Sequence, residues 1–361
     1  MKVTFIFAGY SRLPVGGYRV VYEYANRLAR RGYEVQIVYC RGVKGFARPA
    51  TVFRRLQSEA MYLYRSLIKP NPAWQFVDPA VRALFVPEPL ERYIPDGDVV
   101  FATAWPLADY VLNYSKRKGK KCYLYQHYET WSGPREQVDA SWKAPFYKVV
   151  ISKWLYEVGQ SLGATRMTYI PNGLDHDLFR IQTPIRGRSP IVSMMFSRQA
   201  WKGTADGLQA LYQVKKKFSR LRVLGFGVYK PENPLPEWIE YVDNPKQDDL
   251  VAKIYNASSC FLWSSHTEGF SLPPAEAMAC GCAVVTTDCG GINDFAENGV
   301  SALISEPRNS GKLAENLLKF LEDDNLRVRI AEEGSRSIRK LTWQNSFDLM
   351  EKFLADCVGE G

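Results

Sequence analysis

Residues 264–288 read S-S-H-T-E-G-F-S-L-P-P-A-E-A-M-A-C-G-C-A-V-V-T-T-D. A strand-like run, residues 260–263, leads into this stretch, and a loop carries Glu268 and Gly269. The prolines predict a helix beginning near Pro274, since proline is tolerated where the backbone N–H has no helical partner. Gly281 ends that helix, and a Val-rich strand follows. Two parallel strands need a crossover between them, and a helix supplies it, so this is one repeat of a parallel α/β sheet. Glu276 then falls in the first helical turn, where unpaired N–H groups and the helix dipole favour anions. A diphosphate can dock there on main-chain donors while Glu276 accepts hydrogen bonds from sugar hydroxyls. The plainer alternative makes Glu276 an electrostatic cap and Glu268 a solvated loop acid.

The same rhythm extends outward in both directions. Residues 2–8 form a strand-like run, followed by a loop punctuated by Gly9, Gly16 and Gly17. Val21, Ala25, Leu28 and Ala29 then recur at helical spacing until Gly32, and residues 33–39 alternate like a strand. After residue 185 come a strand at 191–196, a helix at 203–218, a strand at 221–224, a helix at 247–256 and the strand at 260–263. Between the two series, residues 181–190 read I-Q-T-P-I-R-G-R-S-P, a linker composition. The expected division is a first domain at 1–182 and a second at 187–341. Two such α/β domains leave a cleft between them.

The 361 residues suit about two domains, and 46% hydrophobic residues leave no case for disorder. No run approaches the ~18 apolar residues of a membrane span, and the opening segment is short for a signal peptide, so a cytoplasmic location is expected. Seven cysteines without a C-x-x-C pair read as reduced structural thiols rather than disulfides or a zinc site. The net charge of +9 is uneven. Residues 1–180 hold 26 Lys+Arg against 15 Asp+Glu, and the remainder 21 against 23. The basic half is suited to anionic surfaces, among them acidic lipid headgroups, and carries no recognisable module for specific nucleic-acid binding.

Glu268 and Glu276, eight apart in E-G-F-S-L-P-P-A-E, resemble the E-x7-E signature of glycosyltransferase family 4. Other segments match in order. Gly16-Gly17 with residues 21–35 resembles the family's opening motif, I-P-N-G-L-D-H-D-L-F at 170–179 its interdomain element, and Arg198 with Lys202-Gly203 its basic pair, here four apart rather than five. The resemblance implies a GT-B fold of two Rossmann-like domains facing across a cleft, with a helix at 342–361 returning to the first domain. It implies a retaining enzyme that takes a nucleoside diphosphate sugar, bound mostly by the second domain, and an acceptor, a glycan or a lipid-linked one, bound by the first.

In that scheme Lys202 and Arg198 neutralise the departing diphosphate, which lowers the barrier to breaking the anomeric bond. Gly16 and Gly17 bring main-chain donors close to it. Glu276 holds the ribose and Glu268 the transferred sugar, with Gly269, Phe270, Ser271 and Leu272 beside them. The leaving phosphate oxygen takes the acceptor proton on the same face, so neither a protein nucleophile nor a metal or other cofactor is required. His127, in Y-Q-H-Y-E directly after a strand-like run, is the family's sugar-contacting histidine by position; Tyr125, Gln126 and Glu129 are alternatives. The run at 94–105 followed by Y-Q-H-Y-E also resembles rhamnosyltransferase-like members, which implies a deoxysugar donor.

Three further motifs are weighed on their own. Asp96-Gly97-Asp98 precedes a strand at 99–103 and reads as a turn, not a metal pair. Gly225-Phe226-Gly227 has Lys230 where a dinucleotide fingerprint needs its third glycine. Residues 50–68 carry an apolar helical stripe amid a local +6 over 41–69, either an interfacial helix on an anionic membrane or an ordinary amphipathic helix. The rival readings of the whole chain are an epimerase or phosphorylase of the same fold and a non-catalytic sugar-nucleotide-binding subunit.

Overall fold

The computed structural model describes residues 1–43 and 72–359. The amphipathic stretch at 50–68 lies outside the described residues. The chain forms two compact units, Met1–Pro171 with Gln344–Gly361, and Asn172–Trp343.

The first unit is a seven-stranded sheet in which every pairing is parallel, β1 (Lys2–Phe7), β2 (Glu34–Cys40), β3 (Arg82–Val86), β4 (Val99–Ala102), β5 (Lys120–Tyr125), β6 (Tyr147–Val150) and β7 (Met167–Tyr169). Their order is β3-β2-β1-β4-β5-β6-β7. Strands covered on both faces read as continuous apolar runs, and β1 buries Val3, Phe5, Ile6 and Phe7 in succession. Helix α1 (Gly16–Arg30) buries Val21, Ala25 and Leu28 of the predicted stripe, with Val20 and Tyr24 beside them, and leaves Ala29 half-buried. Gly32, at φ 86°, turns the chain back into β2.

Three shorter helices follow in this unit, α2 (Ala108–Leu112), α3 (Arg135–Lys143) and α4 (Lys153–Ser161). The C-terminal helix Trp343–Gly359 completes its core with buried Phe347, Met350, Phe353, Leu354 and Cys357. Its Phe353 ring lies 6.1 Å from that of Phe101 on β4, and its Ser346 hydroxyl donates to Pro171 O at 2.6 Å.

The second unit is a six-stranded parallel sheet ordered β10-β9-β8-β11-β12-β13. Its strands are β8 (Ile191–Met195), β9 (Arg222–Gly227), β10 (Ile239–Asp243), β11 (Cys260–Trp263), β12 (Ala283–Thr287) and β13 (Leu303–Ser305). Helices α5 (Thr204–Lys217), α6 (Leu272–Ala279), α7 (Ser310–Glu322) and α8 (Asp324–Ile338) cross between or cover them, and residues Leu250–Tyr255 adopt π-helical geometry. Two parallel α/β units of this kind are the GT-B fold class that the sequence implied. No helix among the described residues is long and apolar enough to cross a membrane.

The segment at 181–190 is not a free connector. It belongs to the second unit, where Ile185 joins the hydrophobic core and Arg188 is 8% exposed. The Arg188 guanidinium donates to Thr183 O at 2.5 Å, Cys280 O at 2.8 Å, Ser258 O at 3.0 Å and Pro184 O at 3.3 Å. A planar fork with five N–H groups can gather these separate carbonyls, which a Pro/Gly-rich composition does not disclose. Replacing Arg188 by Met strands those acceptors and should lower the unfolding free energy by about 3 kcal/mol. Lys, a point charge, should recover only part of the loss; denaturant melts of the two variants check this.

Candidate functional site

In each unit the strand order reverses once, between β1 and β4 in the first and between β8 and β11 in the second. At such a point the loops leave the sheet in opposite directions, and a crevice opens beyond the carboxyl ends of the two strands. The predicted site residues cluster around these two places.

In the second unit, the chain leaves β8, makes a short 3-10 turn at Ala200–Lys202 and enters α5 through Gly203. Gly203 has φ 64°, and a Cβ there would lie 1.9 Å from Ser264 O. Only glycine permits this approach. The loop after β11 is thereby laid against the loop after β8. His266 N donates to Trp201 O at 2.7 Å, the Ser265 hydroxyl donates to the same carbonyl at 3.0 Å, and the Ser264 hydroxyl donates to Gly203 O at 2.7 Å. A side-chain link joins the same segments, with His266 Nε2 at 2.6 Å from Asp206 Oδ2 on α5, and Arg308 Nε at 3.4 Å from His266 Nδ1.

This seam sets Lys202 against Glu268. The Lys202 ammonium donates to both carboxylate oxygens of Glu268, at 2.7 and 2.9 Å, and lies 5.4 Å from the centroid of the Trp263 ring. Glu268 is 6% exposed, and its Oε1 accepts a second bond from the Ser265 hydroxyl at 2.6 Å. Its backbone is fixed as well. Glu268 N donates to Cys289 O at 2.7 Å, and Gly291 N donates to Glu268 O at 3.1 Å. A Cβ on Gly291 would lie 2.4 Å from Gly269 O. Sequence reasoning passed over Gly290-Gly291, although a Gly-Gly pair after a strand is a sign of close backbone approach.

Helix α6 begins at Leu272, two residues earlier than the prolines alone suggest, with Ser271 as its N-cap at φ 76°. Glu276 is therefore its fifth residue, in the second turn, and the placement in the first turn is corrected. The helix starts early because Pro273 occupies one of its first positions without needing an N–H partner. Glu276 is 4% exposed and accepts from the Tyr255 hydroxyl at 3.1 Å. Tyr255, which spacing did not select, stands at the end of the π-helical segment.

Gly269, Phe270, Ser271 and Leu272 form the connection from Glu268 into α6. Phe270 packs on Phe295 at 5.5 Å, and Ser271 Oγ lies 3.3 Å from Cys289 Sγ. Burial, together with the Glu268 charge, pushes the Cys289 thiol up to about 12, so the cysteine beside the site is held as a thiol rather than a thiolate.

Arg198 is placed differently. Its guanidinium lies 4.8 Å from the Tyr229 ring centroid and 3.7 Å from Glu232, and it is exposed. Those partners come from the segment after β9, so Arg198 and Lys202 share a loop but not partners.

In the first unit, α1 opens at Gly16 with Val15 as an N-cap that makes no side-chain bond, and no acidic residue lies in its first turn. The Gln126 amide donates to Gly17 O at 3.0 Å, joining the loop after β5 to this helix start. His127 follows, half-buried, 4.1 Å from the Trp131 ring in an edge-on arrangement.

Asp96 bonds Arg117 at 2.6 Å and Lys118 at 2.7 Å, which hold its carboxyl below the usual range, and Asp98 accepts from Lys2 N at 2.7 Å. Gly225 and Gly227 lie inside β9, packed against Phe196, rather than in a loop after it. All seven cysteines are buried and free.

Residues 175–337 match the family model for glycosyl transferases group 1. The chain is 27% identical over 286 residues to the O-antigen biosynthesis protein RfbC of Myxococcus xanthus, covering 76% of this chain and 22% of that protein. It is 29% identical over 156 residues to the N,N'-diacetylbacillosaminyl-diphospho-undecaprenol alpha-1,3-N-acetylgalactosaminyltransferase of Campylobacter jejuni, covering 41% of this chain and 40% of that one. The chain thus matches well under half the length of these two curated relatives. Among solved structures, sucrose-phosphate synthase from Thermosynechococcus elongatus gives a TM-score of 0.74 at 15% identity with all of both chains covered. Anabaena Alr3699/HepE in complex with UDP and glucose gives 0.73 at 14%, covering 98% and 99%. These two likenesses concern the fold.

The seam makes a direct test. Gly203→Ala should cost 3 kcal/mol or more, roughly the order of a severe core lesion, because the new Cβ meets backbone rather than a movable side chain. Gly187, at φ 81° with nothing within 4 Å of an added Cβ, is the control. Gly187→Ala should cost only about 1 kcal/mol for the left-handed backbone. Chemical denaturation of both variants separates the two causes.

Proposed function

We propose that the chain is a retaining, metal-independent glycosyltransferase that moves a sugar from a nucleoside diphosphate sugar to a glycan or lipid-linked acceptor. The observation that carries this reading is the Lys202–Glu268 pair, held beyond the carboxyl ends of β8 and β11 where the strand order reverses. A cation fixed there can take up negative charge as a diphosphate departs, and a buried carboxylate beside it can accept from sugar hydroxyls. Being preorganised by the Gly203–Ser264 seam, the pair needs little rearrangement as charge develops.

The other residues take roles in keeping with their positions. Glu276 holds the ribose, Gly269, Phe270, Ser271 and Leu272 line the approach, and the open start of α1 at Gly16 and Gly17 offers N–H groups to the diphosphate. His127 contacts the transferred sugar, and Arg198 reaches the phosphates after leaving Tyr229 and Glu232. The departing phosphate oxygen receives the acceptor proton on the face it leaves. A deoxyhexose donor is the finer proposal, supported by the likeness of the 94–129 segment to rhamnosyltransferase-like sequences.

The match to the glycosyl transferases group 1 model supports this over an epimerase, phosphorylase or binding subunit. A lipid-linked acceptor at the inner membrane face of the cytoplasm is supported by the basic first half and by the Campylobacter relative, whose name specifies a diphospho-undecaprenol acceptor. Sedimentation with phosphatidylglycerol vesicles at low salt, and release at high salt, is the expected behaviour. Equal binding to phosphatidylcholine vesicles, or none to either, rejects the membrane part.

A thermal-shift panel of nucleoside diphosphate sugars in EDTA tests the rest. A donor at about 100 times its Kd stabilises the fold by roughly 2.7 kcal/mol. One donor should shift the native protein and fail to shift Lys202→Ala. A shift that appears only with Mg²⁺ or Mn²⁺ overturns the metal-independent reading, and no shift under any condition overturns the donor class.

A further inference from the structure

Glu129 stands two residues after His127 and took no part in the site described above. Its Oε2 accepts from Trp105 N at 2.8 Å, in the segment after β4, and from the Tyr123 hydroxyl on β5 at 3.2 Å. The same two segments are tied again through Ser132. The Trp105 indole N–H donates to the Ser132 hydroxyl at 3.0 Å, which in turn donates to Glu129 O at 2.9 Å. Gly133 seals the contact, since a Cβ there would lie 2.2 Å from the Trp105 ring. The loop at 126–132 is thus held to the segment beyond β4 by one carboxyl group and its neighbours. That loop also carries Gln126, bonded to Gly17, and His127, packed against Trp131.

We propose that Glu129 is a positioning residue, a protonatable strut that sets the place of the loop bearing His127. The inference rests on the role given to His127 in the proposed transfer. Groups from two neighbouring segments face the carboxyl. From β5 come Tyr123 and Tyr125 and from the segment after β4 the Trp105 amide, while in its own loop the Tyr128 hydroxyl donates to Asp139 of the Arg135–Asp139 pair and the His127 ring packs against Trp131. The hydroxyl and amide are neutral donors, which satisfy an oxygen without neutralising its charge. Burial therefore raises the carboxyl to about 7, against the pull of the Trp105 and Tyr123 hydrogen bonds.

The sign follows from linkage. A folded carboxyl raised from its ordinary value of 4.5 to about 7 adds stability that is complete below 4.5 and lost as pH climbs through 7. Gln reproduces the neutral acid in shape and cannot ionise. Glu129→Gln should therefore keep its denaturation midpoint between pH 5 and pH 8, whereas the native protein's midpoint falls.

The positional claim is read by nuclear magnetic resonance, which three histidines make tractable. Glu129→Ala, which removes the strut, should move the His127 ring resonances, whereas Glu129→Gln at pH 5, which keeps the shape of the neutral acid, should leave them in place. With a donor in hand, Glu129→Gln should flatten the pH profile of kcat around neutrality, and Glu129→Ala should lower kcat at least tenfold with KM nearly unchanged. His127 ring resonances unmoved in the Ala variant overturn the proposal, as does an unaltered pH dependence of the midpoint in the Gln variant. Both readouts stand without turnover, so a failure to find any donor rejects the functional reading while Glu129 is still tested.

Discussion

The close passage of Gly203 under the Ser264 carbonyl is the constraint on which the second unit's chemistry depends. Two loops that leave adjacent strands at a reversal of strand order ordinarily diverge. Here one missing Cβ lets them touch, and the hydrogen bonds from Ser264, Ser265 and His266 close the contact. Lys202 and Glu268, 66 positions apart in sequence, then meet with a two-oxygen grip. A buried ion pair contributes little net stability, because desolvation offsets much of the attraction. Its value lies in holding a charge distribution ready in a fixed place, which is the property the proposed transfer asks of it.

The first unit solves a similar problem with different means. Its reversal point lies between β1 and β4, and its loops are joined by hydrogen bonds among Gln126, Glu129, Trp105 and Ser132 rather than by a Lys–Glu pair. The aromatic residues there do more than fill space. Tyr123 and Tyr125 stack at 3.7 Å, and Tyr125 packs on Trp142 at 3.9 Å, giving β5 a rigid end from which the histidine-bearing loop departs. One unit is thus organised around charge and the other around buried polar and aromatic contacts.

Much of this was legible in the sequence, for reasons that differ from element to element. The strands at 2–7, 191–195 and 260–263 are apolar runs bounded by turn residues, and α1 announces itself by Val21, Ala25 and Leu28 at helical spacing. Glu268 and Lys202 could be named because they stand in motifs whose residue types are few and whose order is fixed. Ser265 and Tyr255 could not, and Glu129 could be named only as an alternative to His127, not for the contact it makes. Each acts through a contact between segments distant in sequence, and a serine or tyrosine carries no spacing rule that distinguishes it from its neighbours. The misread at 181–190 has the same origin, since proline and glycine mark irregular backbone but do not say whether it is buried. Arg188 decides that point through carbonyls up to 92 residues away. Glu276 moved from first turn to second because the prolines constrain where a helix can begin without choosing between adjacent starts.

The return of the C-terminal helix to the first unit has a consequence for biosynthesis. The second unit is one continuous stretch, Asn172–Trp343, whereas the first is assembled from Met1–Pro171 and Gln344–Gly361. During translation the sheet of the first unit emerges well before the helix that covers Phe101 and supplies Phe353 and Leu354 to its interior. The second unit has every residue it needs as soon as Trp343 clears the ribosome. The half made first is therefore the half completed last, and its partly uncovered apolar surface must be sheltered through the synthesis of the other.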